Sequence, residues 1–272
     1  MRRNAADRRF AGPAMDVRDL LRLGRRKRDP QSRQGPRVPE DVLLYAVGDI
    51  HGRRDLLQRL LQKIETDAHR SPAMKKILVF LGDYVDRGRD SRGVIDIISS
   101  PMPPFESVCL KGNHEYVLLE FLDDPDVWED FRRFGGLETL SSYGVDRRLL
   151  AGTETPPEEI RDAFLAAFPK SHYDFLRELK CSYECGDYYF VHAGVRPGIP
   201  LERQVEDDQL WIREEFFSAG NAFDGHVIVH GHTPRPNPEK HPYRIGIDTG
   251  AYLSGRLTAA KFSGSSVEFL QS

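Results

Sequence analysis

Short apolar runs that stop at a glycine recur along this chain. Val42–Val47 (VLLYAV) stops at Gly48, Ile77–Leu81 at Gly82 and Val227–Val229, flanked by His226 and His230, before Gly231. Phe105–Leu110 and Asp187–Val191 end the same way, at Gly112 and Gly194. Runs of this length and branching, bounded by glycine, predict buried strands. Between the first two, residues 55–69 place Leu56, Leu57, Leu60, Leu61 and Ile64 on one stripe, the spacing of an amphipathic helix. That strand–helix–strand order predicts parallel pairing with a right-handed crossover. Residues 94–99 predict a second helix, closed by the proline-rich 101–104. Arg244–Ile247 predicts a further strand, and Leu257–Phe262 with Val267–Leu270 a closing hairpin around Gly264.

Residues 116–180 differ in character. They are polar, helical in pattern and broken by Gly135-Gly136, Gly144, Gly152 and Pro156-Pro157. We read them as a helical insertion or cap over an α/β sheet. Within it, Arg132 and Arg133 sit on one turn, suited either to an anionic substrate or to a solvated helix face.

The 272 residues suffice for one large α/β domain, and 39% hydrophobic with 30% charged residues is ordinary for a globular protein. No stretch approaches the roughly 18 apolar residues of a membrane helix. Met1 to Asp29 is arginine-rich without an apolar core, so no signal peptide is expected. Three cysteines, with Cys181 and Cys185 four apart, predict reduced thiols rather than a zinc site, and a cytoplasmic setting. The net charge of −3 conceals an asymmetry: residues 1–37 hold 12 Lys+Arg against 4 Asp+Glu, net +8, and the remainder is net −11. Residues 1–37 are therefore expected to be a disordered basic tail, suited to an acidic partner or surface, with one short helix around Val17–Leu23 as the alternative. The folded domain is expected over 38–272. Nothing in the composition suggests a nucleic-acid partner.

The predicted strand ends carry the chemistry. They emit Asp49 and His51, then Asp83 with Asp86 and Arg87, then Asn113 and His114, then His192, then His232. If the extended conformation persists past β-strand 42–47, Asp49 and His51 point the same way. Strand ends on one edge of an α/β sheet converge on a crevice. Carboxylate, amide and imidazole ligands without cysteine suit manganese, iron or zinc better than calcium. Six ligands exceed the needs of one ion, and a bridging carboxylate such as Asp83 would hold two ions ~3.5–4 Å apart. Two divalent ions against Asp49 and Asp83 leave a surplus of positive charge, matched to a phosphate monoester of about −1.5 to −2. Arg213, in the apolar run Leu210–Ile212, is expected to be buried against an anionic partner. His226, His230 and His241 are read as structural or surface residues.

GDIHG (48–52), GDYVDRG (82–88), GNHE (112–115), HAG (192–194) and GHT (231–233) occur in this order, and the set resembles the PPP-type serine/threonine phosphoprotein phosphatases of the calcineurin-like metallophosphoesterase superfamily. The likeness spans roughly 42–252. IDTGAYLSGRLTA (247–259) resembles the bacterial and phage members, the eukaryotic SAPNYC-type segment is missing, and Pro234 stands where the wider superfamily has the second histidine of GHxH.

The resemblance implies a central β-sandwich flanked by helices, αββα, with the helical insertion as cap. It implies Asp49, His51 and Asp83 around a first ion, and Asp83, Asn113, His192 and His232 around a second, manganese being the first choice and iron or zinc the others. A hydroxide held between the ions would attack phosphorus in line, His114 would protonate the leaving group, and Asp86 would orient His114. Arg87 and Arg213, with Asn113, would hold the substrate phosphate. The implied activity is protein serine/threonine phosphatase. The alternatives are a symmetrical dinucleoside-polyphosphate hydrolase or small-molecule phosphatase on the same scaffold and, more distantly, a non-catalytic binding scaffold.

Overall fold

In the computed structural model, residues 35–151, 155–220, 223 and 225–272 are described. The tail expectations for residues 1–34 lie outside the described residues.

Strand β1 (Val42–Val47) leads through helix α1 (Arg54–Ala68) to β2 (Lys75–Phe80), and through α2 (Ser91–Ile98) to β3 (Phe105–Cys109). The three strands pair in parallel, with Leu44 opposite Ile77 and Val79 opposite Val108. Helix α3 (Asn113–Asp123) opens the helical insertion, which continues as α4 (Trp128–Phe134), α5 (Gly136–Ser142), α6 (Arg147–Ala151), α7 (Pro157–Ala167) and α8 (Lys170–Arg177). The chain then forms β4 (Ser182–Cys185), β5 (Tyr188–Val191), the short helices α9 (Glu206–Trp211) and α10 (Glu214–Ser218), β6 (Val227–His230), β7 (Glu239–Lys240) and β8 (Arg244–Gly246). After α11 (Ala251–Ser254), the hairpin β9 (Thr258–Ser263) and β10 (Ser266–Gln271) closes the fold.

Two five-stranded sheets result, ordered β10-β9-β1-β2-β3 and β4-β5-β6-β8-β7. Alternation along β1 explains how they stack. Leu44 and Ala46 face the inter-sheet core with Val79, Phe190, Val229, Ile245 and Phe262. Leu43, Tyr45 and Val47 point the other way, into a second core with Leu56, Leu57 and Leu60 of α1 and with the insertion helices. A strand buried on both faces reads as an unbroken apolar run, as β1 does. The outer face of the second sheet packs Val191 and Ile228 against Ile212 and Phe216. The architecture is αββα.

The chain joins the fold slightly before Val38: Tyr188 Oη donates to the Pro36 carbonyl (3.2 Å) and Arg37 N to Asp187 Oδ2 (3.0 Å). The edge strands β4 and β7 were not foreseen from the sequence, being four and two residues long without an apolar run. The cysteines are free thiols, and burial, with Glu115 nearby, pushes Cys109 up to about 12, so it is no nucleophile. No helix among the described residues is long and apolar enough to cross a membrane.

Candidate metal centre

All six parallel strands, β1, β2, β3, β5, β6 and β8, hand over to tight loops, and these loops meet. Among the described residues the non-glycine positions with positive φ are His51 (47°), Asp83 (52°), Asp86 (69°), Arg87 (66°) and His232 (63°). Every one of them belongs to this meeting point. Such conformations cost on the order of 1–3 kcal/mol each and persist only where surroundings enforce them. Buried Glu115 enforces one loop by accepting N–H bonds from Asp83 (2.8 Å), Tyr84 (2.7 Å), Val85 (3.2 Å) and Gly112 (2.9 Å). Close approach to the two carboxylates demands glycine: a Cβ on Gly231 would collide with Asp49 Oδ1, and one on Gly112 with Asp83 Oδ1. His51 leaves the extended conformation, so the expectation that strand alternation aligns it with Asp49 is corrected. A turn, not a pleat, brings its imidazole in.

Side-chain tautomers then decide what the cluster holds. His51 Nδ1 donates to the Val85 carbonyl (3.0 Å) and His192 Nδ1 to the Leu81 carbonyl (2.9 Å), leaving both Nε2 atoms as bare lone pairs. His192 Nε2 faces Asn113 Oδ1 (2.9 Å), His232 Nδ1 (3.1 Å) and Asp83 Oδ1 (3.3 Å). Asn113 Oδ1 and His232 Nδ1 are themselves 2.9 Å apart. These are four acceptor-type atoms with at most one proton among them. His232 Nε2 is buried without a partner. Two groups, His51/Asp83/His114 and Asp83/His192/His232, each bring ligand atoms within 4.8 Å and share Asp83.

Electrostatics agree with a cation. Burial drives His51 down to about 3 and His232 to about 2, so both stay neutral with lone pairs available. Burial alone would raise Asp83, but the imidazoles of His192, His114, His51 and His232 outweigh it and hold the carboxyl below the usual range. Asp49 accepts the His232 N–H (3.0 and 3.2 Å) and is raised by burial and by Asp248. Asp248, at the end of β8, is itself pushed up to about 6, mainly by burial. Three buried carboxylates at one spot fit divalent cations, and this donor set, without thiolate, suits manganese, iron or zinc. Asp49 belongs to neither three-residue group, and Asp248 was not foreseen as part of the site.

Beside the cluster, His114 Nδ1 donates to Asp86 Oδ2 (2.7 Å), and Thr139 Oγ1 donates to Asp86 Oδ1 (2.6 Å). Thr139 and Ser91 hydroxyls also accept the Asp86 N–H (2.8 and 3.1 Å). Burial would lower His114, but Asp83 and Asp86 overcome it and hold the imidazole above its ordinary value. Arg87 Nη2 lies 3.1 Å from His114 Nε2, and the guanidinium stacks on Tyr252 at 4.8 Å. Phe134 presses edge-on against His114 (4.9 Å) and Trp211 (5.6 Å), so the insertion supplies one wall.

Arg213 corrects its expectation. It is exposed, not buried, and donates to Thr233 Oγ1 (3.2 Å). Helix α9 ends at Trp211 and α10 begins at Glu214, so Arg213 falls at the junction and only its neighbours Leu210 and Ile212 enter the core. Its charge still faces the site, where it lowers His192 and His232 slightly behind the larger effect of burial. Arg132 and Arg133 pair with Glu129 (3.1 Å) and Asp130 (3.5 Å) on the surface. His230 is buried against Phe216 and Phe217 (5.1 and 5.7 Å), a packing role.

The profile of the calcineurin-like phosphoesterases matches residues 43–259. Asymmetrical bis(5'-nucleosyl)-tetraphosphatase PrpE of Bacillus subtilis (strain 168) is 28% identical over 233 residues, 79% of this chain and 89% of that protein. A crystal structure of a candidate diadenosine tetraphosphatase superposes with TM-score 0.58 at 23% identity, over 88% of this chain and 97% of the other. A cold-active protein tyrosine phosphatase shares the fold at TM-score 0.52 and 16% identity, over 86% and 81%.

Proposed function

The chain belongs to the calcineurin-like phosphoesterase family, and we propose that this metal-dependent phosphoesterase hydrolyses dinucleoside polyphosphates, cleaving diadenosine tetraphosphate asymmetrically to ATP and AMP. The observation that supports a phosphoesterase is the convergence of acceptor atoms around Asp83, which only a cation balances. The observation that supports the finer reading is the 28% identity to an asymmetrical tetraphosphatase across 79% of the chain. Protein serine/threonine phosphatase, implied by the sequence motifs, becomes the second reading, supported by the Arg87–His114–Asp86 arrangement. The symmetrical variant of the hydrolase gives way to the asymmetrical one on the same similarity.

Asp83, Asn113, His192 and His232 would hold one ion and Asp83, His51 and Asp49 the other. When bound, two divalent ions would supply positive charge that offsets the phosphoryl oxygens and acidifies the attacking water. The protein's own groups do the rest. Arg87, and Arg213 from the rim, orient the phosphate oxygens through forked N–H donors. Asp86, fixed by Thr139 and Ser91, sets the His114 ring so that Nε2 faces the leaving oxygen. Phe134 and Trp211 keep solvent from that ring. Water adds to phosphorus, the bridging P–O bond breaks, and the leaving phosphate takes the electron pair, with His114 as the proton source.

The test is turnover of diadenosine tetraphosphate against a phosphoserine peptide by the manganese-loaded enzyme, with products separated by chromatography. ATP and AMP in equal amounts, at higher kcat/KM than the peptide, is the expected result. ADP alone, or preference for the peptide, overturns the finer reading.

A further inference from the structure

A groove of about 700 Å³ opens beside the catalytic edge, and Arg87 is its shared wall. That size falls within the range of small-ligand sites. Its charged lining is Arg53, Arg54, Arg87 and Arg89 against Asp55 and Asp90, a balance of four positive to two negative. Tyr252 closes the side toward the metal centre, with its ring 5.2 Å from His51. One end of the groove is therefore Arg87, the residue proposed above to hold the scissile phosphate.

The four guanidinium groups are not equivalent. Arg53 is fully engaged, bidentate to Asp55 (2.8 and 2.8 Å) and bonded to the Ala251 carbonyl (3.0 Å), so it is a fixed wall. Arg54 spends one nitrogen on Asp90 (3.2 Å). Arg89 is exposed and makes no hydrogen bond or ion pair with the described residues. Arg54, with donors to spare, and Arg89, which also borders a neighbouring pocket with Glu138 and Arg147, thus line the groove next to the proposed phosphoryl site. Forked donors match phosphate oxygens, and a net positive lining that runs from Arg87 to Arg89 favours a chain of anionic groups over a single one.

Resting on the proposed function, we propose that this groove seats the phosphates beyond the scissile one, and that Arg54 and Arg89 are the residues that select a linear polyphosphate over a simple monoester. A monoester reaches Arg87 and stops there. A tri- or tetraphosphate continues along the groove to Arg89.

The experiment is inhibition of para-nitrophenyl phosphate hydrolysis by orthophosphate and by inorganic tripolyphosphate, at fixed free Mn²⁺. The ratio of the two inhibition constants is compared in wild type, Arg89→Gln and Arg54→Gln/Arg89→Gln. Tripolyphosphate should be preferred in wild type. The ratio should fall about tenfold in the double variant, equivalent to about 1.4 kcal/mol, with the single variant between. An Arg89→Glu variant should lower it further. No preference in wild type, or a ratio unchanged in the double variant, overturns the groove assignment. Failure of the function reading looks different: wild type would leave diadenosine tetraphosphate intact while the ratio still responded to Arg89.

Discussion

Arg87 Nη2 donates to His114 Nε2 at 3.1 Å, while His114 Nδ1 is bonded to Asp86 at 2.7 Å. The residue proposed as phosphate clamp thus touches the very nitrogen proposed as proton source. In the proposed mechanism a bound phosphate would draw the Arg87 fork onto its oxygens and free Nε2 to take up a proton, which Asp83 and Asp86 favour, and to face the leaving group. Clamp and proton source are coupled through one contact.

His114→Asn should therefore cost most where the leaving group is basic. A phosphate leaving group, with a second pKa near 6, needs little help, whereas an alkoxide needs a proton. We expect a loss of about 10²–10⁴ in kcat on an alkyl phosphate and a much smaller one on para-nitrophenyl phosphate. Metal content, read by mass spectrometry, should stay at the wild-type value. Equal losses on both substrates would remove His114 from the proton-transfer step.

Thr139 reaches Asp86 from the helical insertion, and its hydroxyl is fully buried. Thr139→Val keeps the shape and leaves Asp86 Oδ1 without its donor, which should destabilise the fold by about 1–3 kcal/mol and lower kcat. Thr139→Ser should restore both. A Val variant with unchanged kcat on an alkyl phosphate would show that Asp86 holds His114 without this support.

Much of this was legible in the chain because the information is local. Glycine-bounded apolar runs marked β1, β2, β3, β5 and β6, and the polar residues after each run are those found at the sheet edge. What escaped depends on distance. Thr139 is 53 residues from Asp86, and no motif links an insertion threonine to a strand-end loop. Asp248 follows an apolar strand like the others, and that signal would have placed it beside Asp49. Arg213 misled because an apolar neighbourhood in sequence says nothing of a helix junction, where one side chain turns outward. Tyr252 stands in the segment IDTGAYLSGRLTA, but nothing in that segment marked it as part of the site; its place there comes from the Arg87 guanidinium lying over its ring.

Away from the metal centre, His172 offers a pH test. Its Nδ1 accepts from Tyr143 Oη (2.9 Å) and its Nε2 lies 3.1 Å from Asp96 Oδ1, an arrangement for the neutral ring. Burial lowers its pKa despite the pull of Asp96. A histidine depressed in the folded state contributes stability that is present above its unfolded pKa of about 6.5 and is lost as the pH falls. The Tm gap between wild type and His172→Gln should be widest above pH 7 and should narrow toward pH 5. A gap that widens on acidification would reverse the sign.

The central claim is that Asp83 serves both ligand groups. Metal content of wild-type and Asp83→Asn protein, reconstituted with Mn²⁺ and measured alongside para-nitrophenyl phosphate turnover, tests it most directly. About two ions per wild-type chain, with both lost together with activity in the variant, is the predicted result. Two ions retained in Asp83→Asn, or turnover by metal-stripped wild type, would contradict it.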